Sequence, residues 1–250
     1  MAEPPPPLHI KQAAQAPLQI DARGGLKCDR KTQKCTAKNN VRVQKGIFVM
    51  HCDELTAFLH KQKDGKSVVR RIDARGKIRF TGAPGEKGSA TRILYDLGTN
   101  SLVLTGHGNK LDVGDSTACL NGWWPVVQRE QHVLCGQTLT VHLYQRARGR
   151  DRIKGVDAEG GVVFSTPIEF STSDSIVYNV ATKQAVLRGD VIVDRREGQV
   201  KGPFALLDMS LNKHQVLRHD PFDEGCELAE RPMAFVRLKN IDRKALKPKQ

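Results

Sequence analysis

IDARGKIRF (72–80) returns as VDAEGGVVF (156–164), and IDARGGLKC (20–28) is a looser echo of both. Apolar and polar residues alternate through these phrases around a glycine. A period of two marks an extended strand, because successive side chains leave it on opposite faces. A second phrase follows each: CDRKTQKC (28–35), YDLGTNSL (95–102) and YNVATKQA (178–185). Each has Asp or Asn second, Thr fifth, and an apolar residue or Cys last. Two strands joined by a tight polar turn give this pattern. A third phrase, NNVRVQKGIFVMHCDEL (39–55), is matched by GDVIVDRREGQVKGPFAL (189–206).

Farther out the alternation continues through Val41–Val43, Phe48–Cys52, Leu102–Leu104 and Val191–Val193, punctuated by Gly, Asn and Asp. The chain is predicted to be all-β, a sandwich, roll or barrel. A short helix over Ile10–Ala16 is the one helical candidate. The same step, 27 residues, separates Cys28 from Leu55 and Tyr178 from Ala205. In the middle copy the matching apolar pair is Leu139 and Val141, about 17 residues late, the length of 114–130. That stretch reads as an insertion enlarging one turn, and it carries both tryptophans. Strand pairs that cannot bury a face alone must stack on their neighbours. The expected organisation is an extended Pro-rich leader (1–18), a repeat domain (19–215) and a basic tail (216–250).

Lys and Arg number 40 against 27 Asp and Glu in 250 residues, a formal charge of +13. Such a surface attracts nucleic acid, anionic membrane or a phosphate-rich ligand, and does not choose among them. No run of 18 apolar residues occurs, so no membrane-spanning helix is expected. Met1 is followed by Ala-Glu and four prolines, not by a signal-peptide pattern; a mature exported protein with Met1 added back reads the same, so this does not decide the compartment. GxSxG, HExxH and Walker patterns are missing, so no catalytic constellation stands out. His132 and His142 lie near Cys135 in sequence, which reads more simply as surface histidines beside a structural cysteine than as a metal site.

The repeats resemble the OstA family, the β-jellyroll modules of lipopolysaccharide transport. The resemblance is carried by Asp73-Ala-Arg-Gly76, Tyr95-Asp96 with Thr99, Tyr178-Asn179 with Thr182, Leu187-Arg-Gly189-Asp-Val191 and Cys52-Asp53-Glu-Leu55, over about 20–215. It implies an open-ended roll of two antiparallel sheets built from repeated strand pairs, with acyl chains of lipopolysaccharide in an apolar interior. It further implies a periplasmic, non-enzymatic carrier without a cofactor. Its partners would be lipopolysaccharide, other OstA-fold components of a transport bridge and further copies joined end to end. Open edges are then expected at about Gln19–Ala22 and at Ala205–Met209 or beyond. A module of the exporter or translocon of the same pathway is the nearest alternative. From another class, the rival is a basic nucleic-acid-binding β protein, which would want an aromatic stacking platform. The six cysteines, the Trp-bearing insertion and the basic tail depart from the family pattern.

Alternation alone assigns the inward face. Phe48, Met50 and Cys52 share a phase, continued by Leu55 across the family's turn. By the same logic Ile78, Phe80, Tyr95, Leu102, Leu104, Leu139, Val141, Val162, Phe164, Ile176, Tyr178, Val191, Val193 and Val200 point inward. Scarce aromatics, 5% of the chain, favour an interior that accepts lipid over a filled core. Two basic clusters, Lys61–Lys66 and Arg146–Arg152, fall at turns where phosphorylated sugars would emerge. Cys28 and Cys35 take the first and last positions of the turn phrase, inward and opposite each other, close enough for a disulfide. Cys119 and Cys135 flank the insertion and could close it. Six reduced core thiols are the other reading; on either, Cys52 and Cys226 stay unpaired.

Overall fold

The computed structural model describes residues 18–63, 65, 67–82, 84–106, 119, 124–145, 151–196, 198–211, 213–218 and 233–236. The expected helix at Ile10–Ala16, the leader up to residue 17, Cys226 and most of the tail lie outside them. The alternating stretches form strands throughout: β1 (Leu18–Asp21), β2 (Leu26–Asp29), β3 (Lys34–Lys45), β4 (Phe48–Lys61), β5 (Ser67–Thr81) and β6 (Glu86–Asp96). There follow β7 (Ser101–Thr105), β8 (Val126–Arg129), β9 (His132–Cys135), β10 (Thr138–Gln145), β11 (Asp151–Ser165) and β12 (Glu169–Asn179). The last are β13 (Gln184–Arg195), β14 (Gly198–Asp208), β15 (Lys213–Leu217) and β16 (Met233–Val236). Neighbours pair antiparallel from end to end.

A break of register inside each long strand makes the roll. β3 shifts between Lys38 and Val41, β4 between His51 and Glu54, and β5 between Arg75 and Ile78. β11 shifts between Glu159 and Val162, β12 between Thr172 and Ser175, and β13 between Arg188 and Val191. A bulge bends its strand and adds twist. One half of each strand therefore lies in one wall and the other half in a second wall. Wall I takes β2, the Lys34–Lys38 half of β3, the matching halves of the other long strands, β7, β10 and β15. Wall II takes β1, the other halves, β8, β9 and β16. The fold is the all-β jellyroll that the repeats imply.

The bend explains the repeated glycine. Gly76 and Gly189 have φ of 75° and 73°, and a Cβ there would run into Asp53 and Asp174, the bulged residues of the neighbouring strands. β3 makes the same bend with Asn39 and Asn40, at φ 66° and 51°, the side chain best suited to that region after glycine. The turn phrase is equally specific. Asp29 accepts from Lys31 N and Thr32 Oγ1, Asp96 from Gly98 N and Thr99 N, and Asn179 from Ala181 N and Thr182 N. Gln33, Asn100 and Lys183 close these turns with φ of 53–57°. Asp208, accepting from Ser210 N and Leu211 N, makes a fourth copy (207–214) that pairs Leu207 with His214.

The insertion does not enlarge a turn. β7 pairs only with the wall I half of β6, and β8 only with its wall II half. They are two halves of one strand, interrupted between Thr105 and Val126 where β3 has only Asn39–Asn40 between its halves. The actual turn is Glu130–Gln131, and β9 continues into β10 past Gly136–Gln137. The late apolar pair signalled the extra length but not its place, because a spacing offset is the same on either side of a hairpin. The C-terminal edge also moves outward: β14 is covered by β15 in wall I and by β16, from within the stretch read as tail, in wall II. At the other end β1 and β2 are the edge strands among the described residues.

Candidate functional site

The inner faces of the two walls meet in one apolar cluster running the length of the roll. Met50, Cys52, Leu55, Ile78, Leu104, Leu139, Val141, Val162, Phe164, Ile176, Val191 and Val193 are buried in it. Phe48, Phe80, Tyr95, Leu102 and Tyr178 are half-buried against it. Val200, opposite Val193, is half-buried too. Cys52 and Leu55 both face in although their spacing is odd, because the β4 bulge lies between them.

Alternation missed the alanines. One inner row of wall I reads Ala37, Leu55, Ala74, Ile93, Leu104, Leu139, Ala158, Ile176, Leu187, Ala205, each opposite the next. All are at most 2% exposed. Alanine is as common on surfaces as in cores, so it carries no inward signal. These small residues let the walls approach, which changes the expectation drawn from scarce aromatics. Two shallow hollows of about 490 and 550 Å³ lie at hairpin tips: Thr81–Lys87 with Gln128 and Glu130, and His60–Lys63. The inner rows of the two walls are buried in one cluster, and an occupant would have to part them.

Sequence reading also missed a polar station inside. Glu169 faces in, its side chain 0% exposed. It accepts from Ser171 Oγ at 2.9 Å and Arg195 Nε at 2.8 Å, and pairs with His214 Nδ1 at 2.9 Å. Glu169 and Arg195 belong to wall II and His214 to wall I, so this carboxylate ties the walls together. Burial works to raise its pKa, but the His214 and Arg195 hydrogen bonds outweigh that and hold it below the ordinary value. On the outer face the repeated Asp of the first phrase pairs with bases. Asp73 is held by Arg75 and Arg92 at 2.9 Å, and Asp157 by His142 at 2.7 Å. His142 thus serves a hydrogen bond to Asp157, and no cluster of three potential metal ligands occurs among the described residues.

Cys28 is bonded to Cys35, and Cys119 to Cys135. Cys28 and Cys35 sit directly opposite in β2 and β3, with Cα atoms 4.0 Å apart. Cys35 is buried, but Cys28 stays exposed, since β2 is an edge strand that nothing among the described residues covers. Cys52 is a buried free thiol whose pKa burial pushes up to about 11. Trp124 is 1% exposed and packs with Cys135 and Val163 on the outer face of wall II, flanked by Cys119, Val126 and Phe170. The second disulfide and this small outer core fasten the end of the insertion to the wall.

Residues 19–120 match the family model described as "LptA/(LptD N-terminal domain) LPS transport protein". Over that stretch the chain is similar to lipopolysaccharide transport proteins of the OstA/LptA type. Among solved structures, the chain is similar to LptH of Pseudomonas aeruginosa, described as the LptA homologous periplasmic component of the lipopolysaccharide transport device. The identity is 11% over 92% of this chain and 99% of that one, with a TM-score of 0.22. No curated protein sequence matches.

Proposed function

We propose that this protein carries lipopolysaccharide in the periplasm, as one section of a bridge toward the outer membrane. The observation behind this is the continuous apolar interface between two walls that are joined along the bends. Acyl chains wedged between the walls would exchange side-chain contacts for lipid contacts. At about 25 cal/mol per Å² of apolar surface removed from water, a few chains supply ample affinity. The work is binding and hand-over; the reading assigns no catalytic group and calls for no cofactor. Unpaired strands β1 and β2 at one end, β15 and β16 at the other, would join to OstA-fold partners or further copies by strand addition. The hairpin carrying Lys61 and Lys63 rises beyond the wall I lip, where sugars would emerge. A nucleic-acid reading finds less support: among the described residues Tyr144 is the aromatic that stands exposed.

The test is lipopolysaccharide binding by two variants of adjacent residues. Phe80 is half-buried inside and Arg79 is exposed outside on the same strand. Phe80→Asp should abolish binding with the melting transition kept, and Arg79→Asp should bind like the parent. Equal binding by both folded variants would overturn the proposal.

A further inference from the structure

In each wall the inward residues form rows that step away from the bend. The third row of wall I carries Leu59, Leu97, Leu143, Ile153 and Met209, all half-buried against the apolar cluster. At the same depth in wall II, after Leu18 and Phe48 at the N-terminal end, stand Lys45, Glu86, Arg129, His132, Glu169 and Arg195. Two contacts show that this row faces wall I. Lys45 Nζ lies 5.8 Å from the centre of the Tyr95 ring. Arg195 shares Glu169 with His214. The outermost row of wall I is therefore mostly apolar, with Gln33, Asn100 and Lys183 among its turn residues, and that of wall II is mostly charged. The cations of the charged lip are evenly set: Lys45 on β3, Arg129 four strands on at β8, Arg195 four strands further at β13. At the usual spacing of neighbouring strands each interval is roughly 19 Å.

We propose that the wall II lip holds the anionic head group of the amphiphile whose chains lie between the walls, with Lys45 and Arg129 as the phosphate contacts. This rests on the carrier reading and assigns the end of the ligand that each lip meets. Arg129 suits the role. Its side chain is 54% exposed, and its carboxylate neighbour Glu86 is 3.8 Å away, beyond direct hydrogen-bond length. The guanidinium can turn to a phosphate as a two-pronged donor. Arg195, closed against buried Glu169, serves instead to hold the lips together. The wall I row opposite is poorer in cations, so a bound head group would lean toward wall II.

Bis-phosphorylated lipid A and its dephosphorylated form separate the possibilities, with the parent chain and the K45Q/R129Q double variant. The parent should bind the phosphorylated lipid roughly tenfold more tightly, a preference weakened by salt. The variant should lose that preference and keep the parent's affinity for the dephosphorylated lipid and its melting temperature. A variant that keeps the parent's ratio, or loses both lipids alike, overturns the lip assignment and leaves the carrier reading standing. A parent that binds neither lipid overturns both.

Discussion

Asp208 closes the fourth turn phrase with its carboxylate alone, and the third phrase does the same work with Asn179. The Ser210 hydroxyl, the Gln184 amide and two backbone N–H groups hold the Asp208 pKa at about 2, against an ordinary 3.8. A depressed carboxylate adds stability that is present above its ordinary pKa and lost as pH falls through the folded one. The window here is about pH 4 to 2. Asp208→Ala should lower the melting temperature at neutral pH. Asp208→Asn should keep it, as Asn179 shows an amide can, and should flatten the acid limb within that window. Thermal melts from pH 2 to 7 check both; an unchanged acid limb in Asp208→Asn would show that the turn does not sense this proton. The residue scale is also where sequence reading reached farthest and then failed. Large apolar side chains declare their face by alternation, so Phe80 and Phe164 were legible. Ala37, Ala74 and Ala158 declare nothing, and inward Glu169 contradicts the pattern. Its partners Arg195 and His214 are 26 and 45 positions away and meet it only through the fold.

At the scale of elements, the bulge governs. Gly189 needs a left-handed φ, and its missing Cβ makes room for Asp174. Gly189→Ala should cost about 1–3 kcal/mol. Asp174→Ala in the same chain should relieve only the contact, because the backbone strain remains. Denaturant titration of the single and double variants measures this, and full rescue by the second change would mean that φ is unimportant here. The bulge is also why the strand phase of Phe48–Cys52 carried correctly to Leu55 although no turn lies between them. The insertion was legible as surplus length, while its position depended on which half-strand pairs with which, a long-range fact. Its anchor is testable because the chain has two tryptophans, at 123 and 124, both inside 106–125. Intrinsic fluorescence therefore reports on this segment alone. Cys119→Ser should shift the emission to the red as Trp124 leaves its contacts with Val163 and Phe170. In the chain-entropy account, loss of a bridge spanning 16 positions costs about 3 kcal/mol. Unmoved emission would mean that packing alone holds the segment.

At the scale of the whole molecule, the roll has two ends, and the described residues at both are mostly basic. At one end, on or beside β1 and β2, stand Arg23, Lys27, Arg30, Lys31 and Lys34; of the facing acids, Asp29 is occupied by its own turn. At the other, Lys213 and Arg218 flank β15, and Asp208 is likewise committed to its turn. Strand addition between two copies must bring these like charges together, whereas a partner with an acidic edge would meet no such resistance. Repulsion between exposed charges falls as the Debye length shrinks from about 10 Å at 0.1 M to about 3 Å at 1 M salt. End-to-end self-association should therefore be weak at low ionic strength and should grow as salt is added, opposite to an assembly held by ion pairs. Replacing Lys27 and Lys34 by Glu should bring the salt-free protein to the association state that the parent reaches only in salt. Sedimentation over a range of protein and salt concentrations reads both effects. Association that weakens with salt would show that the copies meet through another surface, and that the two strand edges are kept for partners of opposite charge.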